Sequence, residues 1–350
     1  MATIDPEVEL RYQVEDLGIV AGFDQATAMA IGLDGDTVGF LGPPDSDATA
    51  GFIWTSFDHR MTQLEVVRTG LGGTEGLAIN DLSMIVGRSK GRLTVWGRNA
   101  VVQRVTYDAS TFANAFAHGV SFRGKIVGGY FPGAGMAAAV WDEDGRRVLR
   151  LDYEGVEIGH PAHFAEALAV NSSVPQKAVG TIRPYDLGIE HAAWWDLSRS
   201  EPNMATDLTP GSTAPSAVRA VNDFGVMAGF HGNHAVVWSR DGRTEHAIAV
   251  PSGYRSSRAN GINEHGVIVG EMWRMPDREG QPVAVKAAHD WREPWINLNT
   301  CIDPTSGWAL ASATAINKQG QVVGWGLHDG QHRAYQLTPI RPSEPPHIRP

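Results

Sequence analysis

Residues 259–270 read ANGINEHGVIVG. An Asn-x-x-Gly turn, Asn263 to Gly266, is followed by a branched apolar run and a closing glycine. The same shape recurs along the chain. It appears as AMAIGLDGDTVG (28–39), GLAINDLSMIVG (76–87), AHGVSFRGKIVG (117–128), ALAVNSSVPQKAVG (167–180), VRAVNDFGVMAG (218–229) and ATAINKQGQVVG (313–324). The copy at 167–180 carries two extra residues in its turn. Apolar runs flanking such a turn read as a pair of antiparallel strands. Asn bonds its own backbone and tolerates positive φ, so Asn80, Asn171, Asn222, Asn263 and Asn317 read as turn residues.

The closing glycines are Gly39, Gly87, Gly128, Gly180, Gly229, Gly270 and Gly324, spaced 41 to 54 residues apart. Most copies continue into a third strand ending in an aromatic residue: Trp54, Trp96, Trp141, Trp194 or Trp195, Trp238 and Trp291, with Tyr335 in that place in the last. These read as core wedges between units. The turns Asp144-Gly145 and Asp241-Gly242 fit hairpins into a fourth strand. Four short strands per unit is the arithmetic of a β-propeller blade. The expected fold is therefore all-β: a single seven-bladed propeller of four-stranded antiparallel blades over residues 1–340, with a Pro-rich tail at 341–350. This overrides the two domains that length alone suggests. A closed ring must hide its edges. The opening YQVEDLG reads as the fourth strand that the last blade lacks after AYQLTP.

The pattern A-x-A-I-N-x-x-G-x-V-V-G, the opening Y-x-V-x-D-L-G and the closing RAYQLTP resemble the HAF repeat family. Its members are described as extracellular repeat proteins. The resemblance covers nearly the whole chain and implies a repeat fold, with little about chemistry.

Composition bounds the function. Forty glycines, 42% hydrophobic residues and 19% charged residues suit short strands and tight turns. The net charge is −10, and no segment concentrates Lys and Arg, so no nucleic-acid partner is expected. Cys301 is the only cysteine, which excludes an internal disulfide and a thiolate cluster. No run of 18 apolar residues and no signal-like start occurs, so no membrane partner and a cytoplasmic location are expected. GLGGTEG (70–76) leads into a strand rather than a helix and is not a phosphate loop. LDGDTVG occupies a blade turn and lacks the other ligands of a calcium loop. No redox cofactor is implied.

Function must lie where the copies differ. One and three places before the aligned apolar residue, nearly every copy has Ala or Gly, as if facing a crowded neighbour. Two places before it stand Met29, Leu77, His118, Leu168, Arg219, Asn260 and Thr314. Four places before stand Thr27, Glu75, Phe116, Glu166, Ala217, Arg258 and Ser312. Strand side chains alternate with period two, so both varied columns are expected to border the channel. Loops after the closing glycines return to the same face, bringing Arg88, Tyr130, Arg183, Tyr185, His231, His234, Glu271, Trp273, Trp325 and His328. Polar groups converging on a concave mouth form the default site.

The candidates for proton transfer are Glu75, His118, Glu166 and His231. The candidates for holding an anionic substrate are Arg219 and Arg258, with Asn260, Tyr130, Phe116, Trp273 and Trp325 around them. The competing reading makes these groups rim ion pairs, for instance Glu166 with Arg219. His160, His163 and Glu166 in GHPAHFAE, with His118, offer nitrogen and oxygen ligands for a divalent metal. Exposed loop histidines are the commoner reading, and no cofactor is expected. Three functions remain: a small-molecule enzyme of lyase, isomerase, cyclase or hydrolase type, a lectin-like binding module, and a protein-interaction scaffold. Columns that fail to repeat favour one asymmetric site over repeated sugar pockets.

Overall fold

The computed structural model describes residues 12–340 apart from 44–46, 69, 106–114, 143–147, 155–157, 159, 161–162, 185–187, 199–202, 276–279, 288–290 and 292. The tail 341–350 and the Asp144-Gly145 turn lie outside the described residues. Each repeat folds into one antiparallel sheet, and seven sheets form the ring. The innermost strands are Ala26–Ile31, Thr74–Ile79, Phe116–Val120, Ala165–Val170, Ser216–Val221, Ser256–Ile262 and Trp308–Ile316, which we number as blades 1 to 7. Tyr12–Asp16 pairs antiparallel with Gln331–Pro339 and completes blade 7 from outside, as the sequence predicts. Blade 3 departs from four strands: Asn203–Met204 adds to Val148–Asp152 in parallel.

The core is distributed between blades. Each of the seven apolar clusters draws on two neighbouring blades. Trp54, Trp96, Trp141, Trp195 and Trp238 are fully buried, each in the cluster its blade shares with the preceding one. The wedge reading holds for these five, and Trp195 rather than Trp194 is the wedge of blade 4. It fails in blade 6. The third strand there ends at Ala287, paired with Ile268, where Trp238 pairs with Met227 in blade 5. Trp291 lies beyond that strand and donates to the Gly266 carbonyl at 3.0 Å, while Trp295 fills the core. In blade 7 Leu337 takes the wedge register opposite Val322. Tyr335 sits two residues earlier, and its hydroxyl donates to the Ser312 carbonyl at 2.9 Å.

The turn asparagines do more than turn. The Asn263 Oδ1 accepts from the backbone N–H groups of His265 and Val267, both at 3.0 Å. Its Nδ2 donates to the Asn317 carbonyl of the next blade at 3.1 Å. Asn80, Asn222 and Asn317 repeat this, reaching the carbonyls of Ser121, Asn263 and Gly32. Asn171 does not, because its longer turn directs Nδ2 to the Ser173 hydroxyl. The small columns face the next blade as expected: a methyl group on Gly119 would stand 3.1 Å from the Ala169 Cα, and one on Gly261 3.2 Å from the Ala315 Cα.

Candidate functional site

All seven inner strands carry a β-bulge at one place. The register shifts between Ala28 and Ala30, Gly76 and Ala78, Ala117 and Gly119, Ala167 and Ala169, Val218 and Ala220, Ala259 and Gly261, and Ala313 and Ala315. The bulged residues are Met29, Leu77, His118, Leu168, Arg219, Asn260 and Thr314. A bulge leaves one residue unpaired and re-aims its side chain. Here it aims one side chain per blade at the axis. The same bulge explains the closing glycines. A Cβ on any of them would stand 1.9 to 2.1 Å from an inner-strand carbonyl oxygen, for example 1.9 Å from that of Glu166 at Gly180.

The seven bulged side chains meet in a cavity of about 300 Å³, joined by Thr27, Ser312, Glu271 and Trp325. Its walls are unequal. Blades 1, 2 and 4 contribute Met29, Leu77 and Leu168, while blades 3, 5, 6 and 7 contribute an imidazole, a guanidinium, an amide and a hydroxyl. His118 and Glu166 meet across neighbouring blades, Nε2 to Oε1 at 2.6 Å. Both are partly exposed, at 26% and 20% of their side-chain surface. With Glu166 ionised, the imidazole donates through Nε2 and keeps its lone pair on Nδ1. Phe116 meets the His118 ring edge-on, with centroids 5.1 Å apart. Asn260 donates to the Ala313 carbonyl at 3.1 Å, and Trp325 stacks on His332 at 4.6 Å. Arg219 is half-buried in this wall, and among the described residues no carboxylate pairs with it.

Several expected members stand elsewhere. Glu75 is buried and accepts two bonds from its cross-strand partner Arg88, at 3.0 and 2.9 Å, so it forms the ion pair of the competing reading. Tyr130 and His231 are two places past a closing glycine, in the column of Leu41, Ser89, Ile182 and Met272, which are buried. Tyr130 is fully buried in the core between blades 2 and 3. Burial pushes its hydroxyl pKa up. His231 bonds Glu245 of the outermost strand at 3.0 Å and the Ser212 hydroxyl at 2.8 Å, away from the cavity. The Arg258 guanidinium lies over the rings of Phe230 and Trp273, at 4.7 and 6.0 Å, instead of lining the channel. Trp273 is buried beneath it.

His160 and His163 do not converge with Glu166. His160 is exposed. His163 is buried, with Nδ1 on the Met136 carbonyl at 2.8 Å and its ring against Tyr153. Among the described residues no three His, Cys, Asp or Glu side chains are grouped to hold a metal. Of the remaining loop residues, Arg183 pairs with Glu190 at 2.8 Å and His328 with Asp16 at 2.8 Å, and Tyr185 lies outside the described residues. Glu271 does reach the cavity, carried not by a loop but by the second strand of blade 6, Ile268–Trp273, which continues past its closing glycine. No described helix is long and apolar enough to cross a membrane.

No family model matches this chain, and no curated protein does. Solved structures match the fold. The oligogalacturonate lyase of Vibrio parahaemolyticus superposes with a TM-score of 0.58 and 11% identity, over 96% of this chain and 95% of that one. A puromycin hydrolase mutant matches at 0.55 and 11% identity, over 89% of this chain. The extracellular domain of a putative hybrid two-component system from B. thetaiotaomicron matches at 0.54 and 8% identity, over 93% of this chain. The chain spans 52% and 40% of the length of the last two. At these identities the likeness is one of fold: the chain is similar to these proteins as a seven-bladed propeller.

Proposed function

We propose that this HAF-type repeat propeller is a small-molecule enzyme with one acid–base site in its channel. Arg219 holds an anionic group of the substrate. His118 moves a proton through Nδ1, and Glu166 fixes the tautomer and stabilises the imidazolium that forms. Asn260, Thr314 and Ser312 supply hydrogen bonds on the flank opposite His118. One observation carries the reading: an oriented imidazole and a guanidinium that pairs with no carboxylate among the described residues share one 300 Å³ cavity. That one of the structures sharing this fold over nearly its whole length is named a lyase is consistent with an enzyme, while a shared fold does not carry function.

The test is proton NMR of the protein in D2O with a panel of small organic acids. Turnover or carbon-bound deuterium exchange is expected for a subset of them. His118→Gln should cut that rate by about 10²- to 10⁴-fold, the usual contribution of a general base. Rates unchanged in His118→Gln would place the chemistry elsewhere. Saturable binding without turnover would leave a ligand-binding module.

A second reading has its own observation. Leu82, Phe122, Val174 and Phe224 are 66%, 46%, 84% and 64% exposed at the turn tips of four consecutive blades, on the face opposite the proposed mouth. An apolar crescent of that kind suits a protein partner. Neither binding nor turnover in the channel would favour it.

A further inference from the structure

The two kinds of wall in the channel are placed to sort a ligand by its ends. In a seven-membered ring the position of blade 5 faces the gap between blades 1 and 2. Arg219 therefore stands across the channel from Met29 and Leu77, and all three line the same cavity. His118, on blade 3, faces the gap between blades 6 and 7, where Asn260, Thr314 and the Glu271 carboxylate stand. The charged-to-apolar axis and the imidazole-to-amide axis thus cross within one cavity. A ligand with polar groups all round would strand some of them against Met29 and Leu77, which is costly in a confined space. A wholly apolar ligand would desolvate the guanidinium without pairing it. A volume of 300 Å³ equals about ten water molecules, so the occupant is small.

We propose that the channel takes a small monocarboxylate with a compact apolar body, its carboxylate on Arg219 and its apolar end between Met29 and Leu77. This rests on the channel site of the preceding section and narrows its substrate class. Arg presents a fork that matches a carboxylate in two bonds, which suits a planar anion. The apolar body then fills the opposite wall, and the carbons between lie beside the His118 flank.

Isothermal titration calorimetry on the whole protein with three probes tests this: benzoate, benzyl alcohol and inorganic phosphate. Benzoate should bind at one site, more tightly than either of the others by about tenfold or more, since a charge-assisted contact and an apolar contact are each worth roughly that factor. Arg219→Gln should weaken benzoate by about 10- to 100-fold. Leu77→Asn and Met29→Thr should each weaken benzoate while leaving any phosphate binding unchanged. Either variant suffices if the other fails to fold. Phosphate binding as tightly as benzoate through Arg219 would overturn the substrate class and leave the anion site standing. Benzyl alcohol matching benzoate, or benzoate indifferent to Arg219→Gln, would overturn both. Benzoate binding unchanged in Leu77→Asn and Met29→Thr would overturn the orientation and the apolar-body class.

Discussion

Gly180 shows how tightly one residue can be determined. Its closing-glycine column exists because the bulge in the facing strand drives a carbonyl oxygen to 1.9 Å from where a Cβ would be. Backbone, unlike a flexible side chain, cannot swing away. Gly180→Ala should therefore destabilise the protein by roughly 1–3 kcal/mol, the usual range for overpacking, measured by denaturant unfolding. An unchanged midpoint would mean that the bulge relaxes without cost. Because the bulge also aims Leu168, such a change should disturb the channel wall nearby. Glu264 offers a second test. Its carboxylate accepts from the Asp223 backbone N–H at 2.9 Å, on the turn face of the ring. Burial first, and the neighbouring Asp223 carboxylate second, raise its pKa. A raised folded-state value means that the native state holds the proton longer than the unfolded chain. This contribution to stability is present below the ordinary glutamate range and is lost as pH rises through the folded-state value. Comparing wild type with Glu264→Gln at pH 5 and pH 7, the variant should gain relative stability at the higher pH. A difference independent of pH would contradict the assignment.

At the scale of the strand, the sequence was legible where the repeat was regular and misleading where the bulge intervened. The Asn-x-x-Gly turns and closing glycines gave blade number, and the small columns gave the faces between blades. The varied column two places before the aligned residue is the channel wall. Counting on by simple alternation then put the column four places before on the same wall. The bulge breaks that count, so Glu75 pairs with Arg88 and Arg258 packs on aromatic rings, while Thr27 and Ser312 do reach the cavity. A bulge has no composition of its own, and its one trace is the glycine opposite. Tyr130 and His231 stand away from the cavity, in a column that is elsewhere Leu41, Ile182 and Met272, a core pattern visible in the sequence. Trp291 falls past the wedge register, between the third strand of blade 6, Val283–Ala287, and the fourth, Ile296–Asn297, where alternation cannot be counted. The latch strand Tyr12–Asp16 was legible because blade 7 lacked a fourth strand downstream. Removing residues 1–16 should expose Gln331–Pro339 as an open edge and leave unfilled the core position of Tyr12, which is 5% exposed. A lower melting temperature and self-association in size-exclusion chromatography should follow. A monomer with an unchanged melt would show that the ring closes without the strand.

The whole molecule is a symmetric scaffold that concentrates its asymmetry on one axis. Seven inter-blade cores and the asparagine bridges of four blades hold the ring, and none of them depends on the channel residues. That independence leaves the bulged positions free to differ, which is why one can be Arg and another His while the backbone repeats, although Asn260 and Thr314 also bond the carbonyls of Ala313 and Ala28 in the next blade. It also explains why the fold was readable from a pattern and the chemistry only from its failures. The most direct measurement is a crystal structure of the protein grown with 4-bromobenzoate, with data collected at the bromine edge. The carboxylate should lie on the Arg219 guanidinium and the anomalous bromine peak against Met29 and Leu77, with His118 beside the ring. Bromine sites confined to the outer surface, or an Arg219 folded onto Glu271 across an empty channel, would contradict a substrate site at the axis.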